Sequence, residues 1–89
     1  SVVCMDVDDA AAESLPEGID FVKGDTSVEE DCQNAVSFAV ELHGGLDVLV
    51  NNAAIQPKQS YVPMHEYSRE LWERMVGVNF TGYAMMAKY

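Results

Sequence analysis

Eighty-nine residues limit this chain to one small domain, and an apolar share of 48% is that of a globular protein rather than a disordered one. Fifteen acidic against five basic residues leave a net charge of −10, which argues against nucleic acid or an anionic membrane surface as partner, since both need a basic patch. No apolar run reaches the roughly 18 residues of a membrane span.

The first element is an apolar run, Val2 to Met5, that stops at Asp6. Asp8 and Asp9 suit a helix N-terminus, and Ala10 to Leu15 is a short helix in good helix formers, ended by Pro16-Glu17-Gly18. Ile19, Phe21 and Val22 make a second strand closed by Gly24. Asp25-Thr26-Ser27 follows, and Ser27 with Glu30 reads as a capping box. Val28, Cys32, Ala35, Val36, Ala39 and Val40 then recur at helical spacing, up to His43-Gly44-Gly45. Cys4 and Cys32 have no CxxC partner, so both read as small buried hydrophobes, and a reducing, cytoplasmic compartment fits.

Leu46 to Val50 is a nearly unbroken apolar run, as in a parallel strand buried on both faces. It ends in Asn51, Asn52, Ala53 and Ala54, where polar amides beside small residues let a flat ligand approach the backbone. A polar loop with Pro57 and Pro63 runs from Ile55 to Tyr67, and Ser68 caps a last helix. On that helix Trp72, Met75, Val76, Asn79, Tyr83 and Met86 fall on one stripe. His43 reads as a last-turn residue that favours the helix dipole, and His65 as a surface residue. Strands alternating with helices predict an α/β fold on a parallel sheet.

Three acids and amides carry the chemistry. An acid ending the second strand of a dinucleotide-binding sheet accepts hydrogen bonds from ribose hydroxyls, which is the reading for Asp6. A 2′-phosphate there is repelled by Asp6, Asp8 and Asp9, and no Arg or Lys is expected nearby to accommodate it, so NAD is favoured over NADP. Asp25 stands at another carboxyl edge, suited to an adenine amino group or to capping the next helix. Asn79 sits on an apolar stripe, where an amide needs a partner. Gly77, Thr81 and Gly82 around it are weak helix formers, so a loosened helix holding backbone or water is expected.

Together, Asp6, Asp25-Thr26, the NNAA turn at 51–54 and VNFTG at 78–82 resemble the short-chain dehydrogenase/reductase family over essentially the whole chain. The resemblance implies a Rossmann-type doubly wound parallel sheet in a three-layer α-β-α arrangement, of which these residues make strands two to four. It implies that Asp6 and Val7 contact the adenosine ribose and adenine, that Asp25 and Thr26 hold adenine, and that Asn52, Ala53 and Ala54 lie along the cofactor's ribose. Asn51 would steady the central strand, and Asn79 would match the catalytic Asn that holds a water in a proton relay to the active-site Lys.

Departures qualify the match. Ala54 replaces the usual Gly, and the Gly-rich TGxxxGxG turn, the catalytic Ser and the Tyr-x-x-x-Lys pair are not in these residues. Tyr83 and Lys88 are five apart rather than four, which places them roughly 140° apart around a helix, so they do not replace that pair. In the family sheet, strand one lies between the second and the fourth. Residues 1–89 are therefore expected to be the internal part of a single dinucleotide-binding oxidoreductase domain, inactive and poorly folded alone. The whole enzyme would pass hydride between NAD and a small alcohol or carbonyl, as a homotetramer built partly on the last helix. The alternative is a non-catalytic NAD(P)-binding sensor or scaffold of the same fold.

Overall fold

β1 (Val2–Asp6) and β2 (Ile19–Lys23) form a two-stranded parallel sheet in a computed structural model that describes all 89 residues, Ser1–Tyr89. The register runs from Val2 opposite Ile19 to Asp6 opposite Lys23. Gly24 extends the ladder, its N–H donating to the Asp6 carbonyl at 3.0 Å. Parallel pairing needs a crossover between the strands, and this brings both carboxyl ends to one edge.

The connection between the strands is a 3-10 segment, Asp9–Ser14, rather than the expected α-helix over Ala10 to Leu15. Asp8 caps it, Oδ1 accepting the Ala10 N–H at 2.9 Å. A six-residue segment closed by Leu15 and Pro16 leaves little room for 13-atom rings, and the tighter ring satisfies the backbone in fewer residues. Gly18, at φ +88°, makes the turn into β2.

α1 (Glu29–His43) is ended by Gly44 in the left-handed conformation at φ +83°, as the glycine pair predicted. The expected capping box does not form. Val28 occupies the cap position with no side-chain bond, because the Ser27 hydroxyl is bonded to Asp25 and Arg74 instead. Glu29, Glu30 and Asp31 in the first turn answer the helix dipole in its place. His43 accordingly closes the last turn, and it pairs with Asp20 of β2 at 2.8 Å.

Leu46 to Val50 forms no strand, a correction to the sequence reading. All five residues are exposed, Val48 at 73% and Val50 at 77%. A strand exists through its ladder rather than through its composition. The sheet consists of β1 and β2 alone, so this run has no partner to form a ladder with.

Past the loop, Ser68 caps the last helix as expected, accepting the Leu71 N–H at 3.1 Å. The helix is not continuous: α2 (Arg69–Val76) leads into a π turn, Gly77–Thr81, and then α3 (Gly82–Lys88). A π turn advances about 4.4 residues per turn and so rotates everything beyond it. Val78 and Gly82 are the fully buried residues of this helix, while the stripe is half-buried at Met75, Val76, Asn79, Tyr83 and Met86 and exposed only at Trp72, at 49%. α1 and α3 pack face to face, and Cys32, Ala35, Val36, Ala39 and Val78 are the buried apolar core. Burial pushes the Cys32 thiol up, which keeps it an inert core residue. No helix is long and apolar enough to cross a membrane.

Candidate functional site

Val7, Lys23, Gly24, Asp25 and Asp31 line an open groove at the carboxyl edge of the sheet. Asp6 directly precedes Val7 and stands across the ladder from Lys23. Its Oδ1 accepts the Asp8 N–H at 2.9 Å, a local bond that holds the backbone after β1 in a turn. Oδ2 makes no hydrogen bond within the chain and is left to accept from outside.

Asp25 is more tightly held. Its N–H donates to Asp31 Oδ2 at 2.9 Å, while Oδ1 accepts the Ser27 N–H at 2.8 Å and the Ser27 hydroxyl at 2.6 Å. Oδ2 accepts Arg74 Nη1 at 2.9 Å, and that same nitrogen reaches Ser27 Oγ at 2.7 Å. Burial pushes the Asp25 carboxyl upward, but the Ser27 bonds and the Arg74 guanidinium outweigh it and hold the group below the usual carboxylate range. The local role considered for Asp25 is thus partly met, as a turn bond to Ser27 rather than as a helix cap. Each carboxylate oxygen has two lone pairs, so Oδ2 keeps one acceptor site.

Thr26 lies between two elements. Its carbonyl accepts the Cys32 thiol at 3.3 Å, and Gly82 presses on it from the last helix. A Cβ at Gly82 would stand 2.7 Å from the Thr26 carbonyl oxygen and 2.9 Å from its Cβ, which no side chain tolerates without moving the helix. Gly77 approaches Ser27 in the same way, its Cβ position lying 3.3 Å from Ser27 Cβ. The two glycines that flank the π turn therefore seat it on the β2–α1 turn.

On the other side of the π turn stands Asn79. Its Oδ1 accepts the Ile55 N–H and its Nδ2 donates to the Ile55 carbonyl, both at 2.8 Å. This is the two-point pairing of a β-ladder made by one side chain, and it satisfies the amide that the apolar stripe left without a partner. Of backbone and water, the side chain holds backbone. Asn79 thereby anchors the residue just after Ala54. Asn51 adds a longer bond from Nδ2 to the Tyr83 carbonyl at 3.3 Å, while Asn52, Ala53 and Ala54 are exposed.

Val7 and Asp25 thus share a groove with Asp6 beside it, and Thr26, the 51–55 segment and Asn79 meet around the π turn. Sequence reasoning missed Lys23, Arg74 and the packing role of Gly77 and Gly82. The glycine spacing around Asn79 was a usable signal for the π turn. Arg74 gave none, since it lies 49 residues from Asp25. Lys88 bonds Glu29 Oε1 at 2.6 Å.

Comparison with known proteins bears on the family and the fold. Residues 2–89 match the model of the short chain dehydrogenase family. An oxidoreductase of Thermotoga maritima is 41% identical over 99% of this chain and 36% of its own length. The sex determination protein tasselseed-2 of Zea mays is 38% identical over 99% of this chain and 28% of its own. The chain therefore spans about a third of the length of the curated relatives it matches. Among solved structures, the 3-ketoacyl-(acyl-carrier-protein) reductase of Brucella melitensis, complexed with NADH, superposes with a TM-score of 0.87 at 35% identity, over 98% of this chain and 36% of that one. Agreement this extensive upholds the α/β class drawn from the alternation of strands and helices, and the Rossmann type that the family resemblance implied. The chain belongs to the short-chain dehydrogenase family.

Proposed function

We propose that residues 1–89 are the internal part of a dinucleotide-binding oxidoreductase domain, supplying the adenosine side of an NAD pocket and the Asn of a proton relay. The observation that carries this reading is the groove at the sheet edge, where Val7 offers an apolar wall, Asp25 keeps one acceptor site and the adjacent Asp6 keeps Oδ2. An adenosine presents the complementary set: an apolar ring face, an amino group and two ribose hydroxyls. The residues fit the group.

In this reading Asp6 accepts from the ribose hydroxyls, Val7 packs on the adenine, and Asp25 and Thr26 hold its edge. Asn52, Ala53 and Ala54 run along the second ribose, presented by the Ile55–Asn79 pairing. After its two bonds to Ile55 the Asn79 amide keeps one N–H and one lone pair, and the relay water is assigned to this residue. The bound nicotinamide supplies hydride exchange with a small alcohol or carbonyl substrate. Asp6 carries the preference for NAD over NADP. The exposed Trp72 and Phe80 on the last helix support a homotetramer, and free Cys4 and Cys32 support a cytoplasmic setting.

The test is calorimetric titration of the full-length protein with NAD, beside Asp6→Ala, followed by turnover assays on small alcohols. Micromolar binding that weakens about tenfold in the variant supports the pocket. No NAD binding by the wild-type protein overturns it. Binding without turnover on any alcohol, in a protein whose reading frame lacks Tyr-x-x-x-Lys, favours the non-catalytic sensor.

A further inference from the structure

Lys23 lies far from Asp6 in sequence, but the strand pairing removes that separation. The two are direct partners in the parallel ladder, so their side chains leave the same face of the sheet from backbones about 4.8 Å apart. Lys23 is the one cation among the residues that line the groove. Its ammonium donates to Asp9 Oδ2 at 2.9 Å, and the hydrogen bond and charge of Asp9, with the nearby charge of Asp8, raise its pKa. Both partners are well exposed, so water competes for the pair and burial locks neither end. Sequence order hid this cation, and the pairing corrects the expectation that no Arg or Lys lies near Asp6.

We propose that Asp9 is a specificity-determining residue of the NAD pocket: by tying down Lys23 it withholds the groove's cation from a 2′-phosphate. The proposal rests on the dinucleotide-binding reading above. A 2′-phosphate brings roughly two negative charges to the ribose position that Asp6 serves, where Asp6, Asp8 and Asp9 oppose it. A free ammonium within side-chain reach of that position would offset them through a charge-assisted hydrogen bond. Asp9 therefore acts twice, as a repelling charge and as the clamp on the only compensating one. Removing its charge alone should open the pocket to the phosphorylated cofactor, with Asp6 still in place for the hydroxyls.

The test uses the full-length protein as wild type, Asp9→Asn, Lys23→Met and the double variant, titrated calorimetrically with 5′-AMP and 2′,5′-ADP at fixed ionic strength. Asp9→Asn is expected to tighten 2′,5′-ADP about tenfold while moving 5′-AMP less than about twofold. In the Lys23→Met background the same substitution should tighten 2′,5′-ADP only about twofold, the share due to lost repulsion. An undiminished gain in that background, or no gain in Asp9→Asn, overturns the clamp. If wild type binds 5′-AMP and Asp9→Asn gains nothing, the clamp alone falls. Failure of wild type to bind either 5′-AMP or NAD overturns the pocket reading and the clamp with it.

Discussion

Replacing Asn79 by Leu removes both bonds to Ile55 while keeping a side chain of similar volume. Ile55 then keeps an N–H and a carbonyl that were each satisfied at 2.8 Å. An unmade bond in a buried setting costs about 1–3 kcal/mol per group. Asn79 and Ile55 are half-buried, so water recovers part of the loss, and the low end of that range for two groups predicts about 2 kcal/mol. Urea unfolding of the full-length protein at fixed concentration should show this as a lower midpoint at unchanged slope. Asn79→Asp provides an internal control. Its carboxylate still accepts the Ile55 N–H but faces the Ile55 carbonyl with an acceptor, so at pH 7 it should lose at least as much. The introduced carboxyl has its folded pKa raised by that contact, so the deficit is full above that value and closes as pH falls through it, when the protonated group can donate. Leu unfolding within about 0.5 kcal/mol of wild type, or an Asp deficit independent of pH, would refute the stabilising role of the Asn79–Ile55 pairing.

Two further outcomes are expected. Asp25 is held below its ordinary value of 3.8, so its ion pair with Arg74 stabilises the fold fully above that pH and is lost as pH falls below it. Arg74→Met should therefore be less stable than wild type at pH 7, with the gap narrowing in acid unfolding titrations; a constant gap would contradict the assignment. Only 8 of the 89 residues are buried, and Leu46 to Val50 has no ladder, so the isolated chain should keep helical far-UV circular dichroism but melt without cooperativity or near-UV signal. A single sharp transition in both wavelength ranges would sink that expectation.

Much of the site was readable because its determinants are local. Asp6 ends a strand and Asp25 follows one, each after an apolar run visible in the chain, and Gly44 and Ser68 bound helices through bonds spanning a few residues. The Asn79 amide was recognisable as anomalous from helical spacing alone, though its partner was not. Ile55 is 24 residues away, and no periodicity points to it. The Ser27–Glu30 pattern misled for the opposite reason: a valid local motif lost its hydroxyl to Arg74, which only packing delivers.

By itself the sequence determined the apolar runs of the two strands, α1 with its left-handed end, the acids that follow those runs and the weak helix around Asn79. Each follows from interactions among near neighbours, for which spacing and residue type suffice. The tertiary structure decided that Lys23 faces Asp6 and reaches Asp9, that Arg74 holds the Asp25 turn, that Gly82 touches Thr26, and that Leu46 to Val50 stays unpaired. These depend on which distant segments the topology brings within bonding distance, and a ladder or an ion pair has no existence in one partner alone.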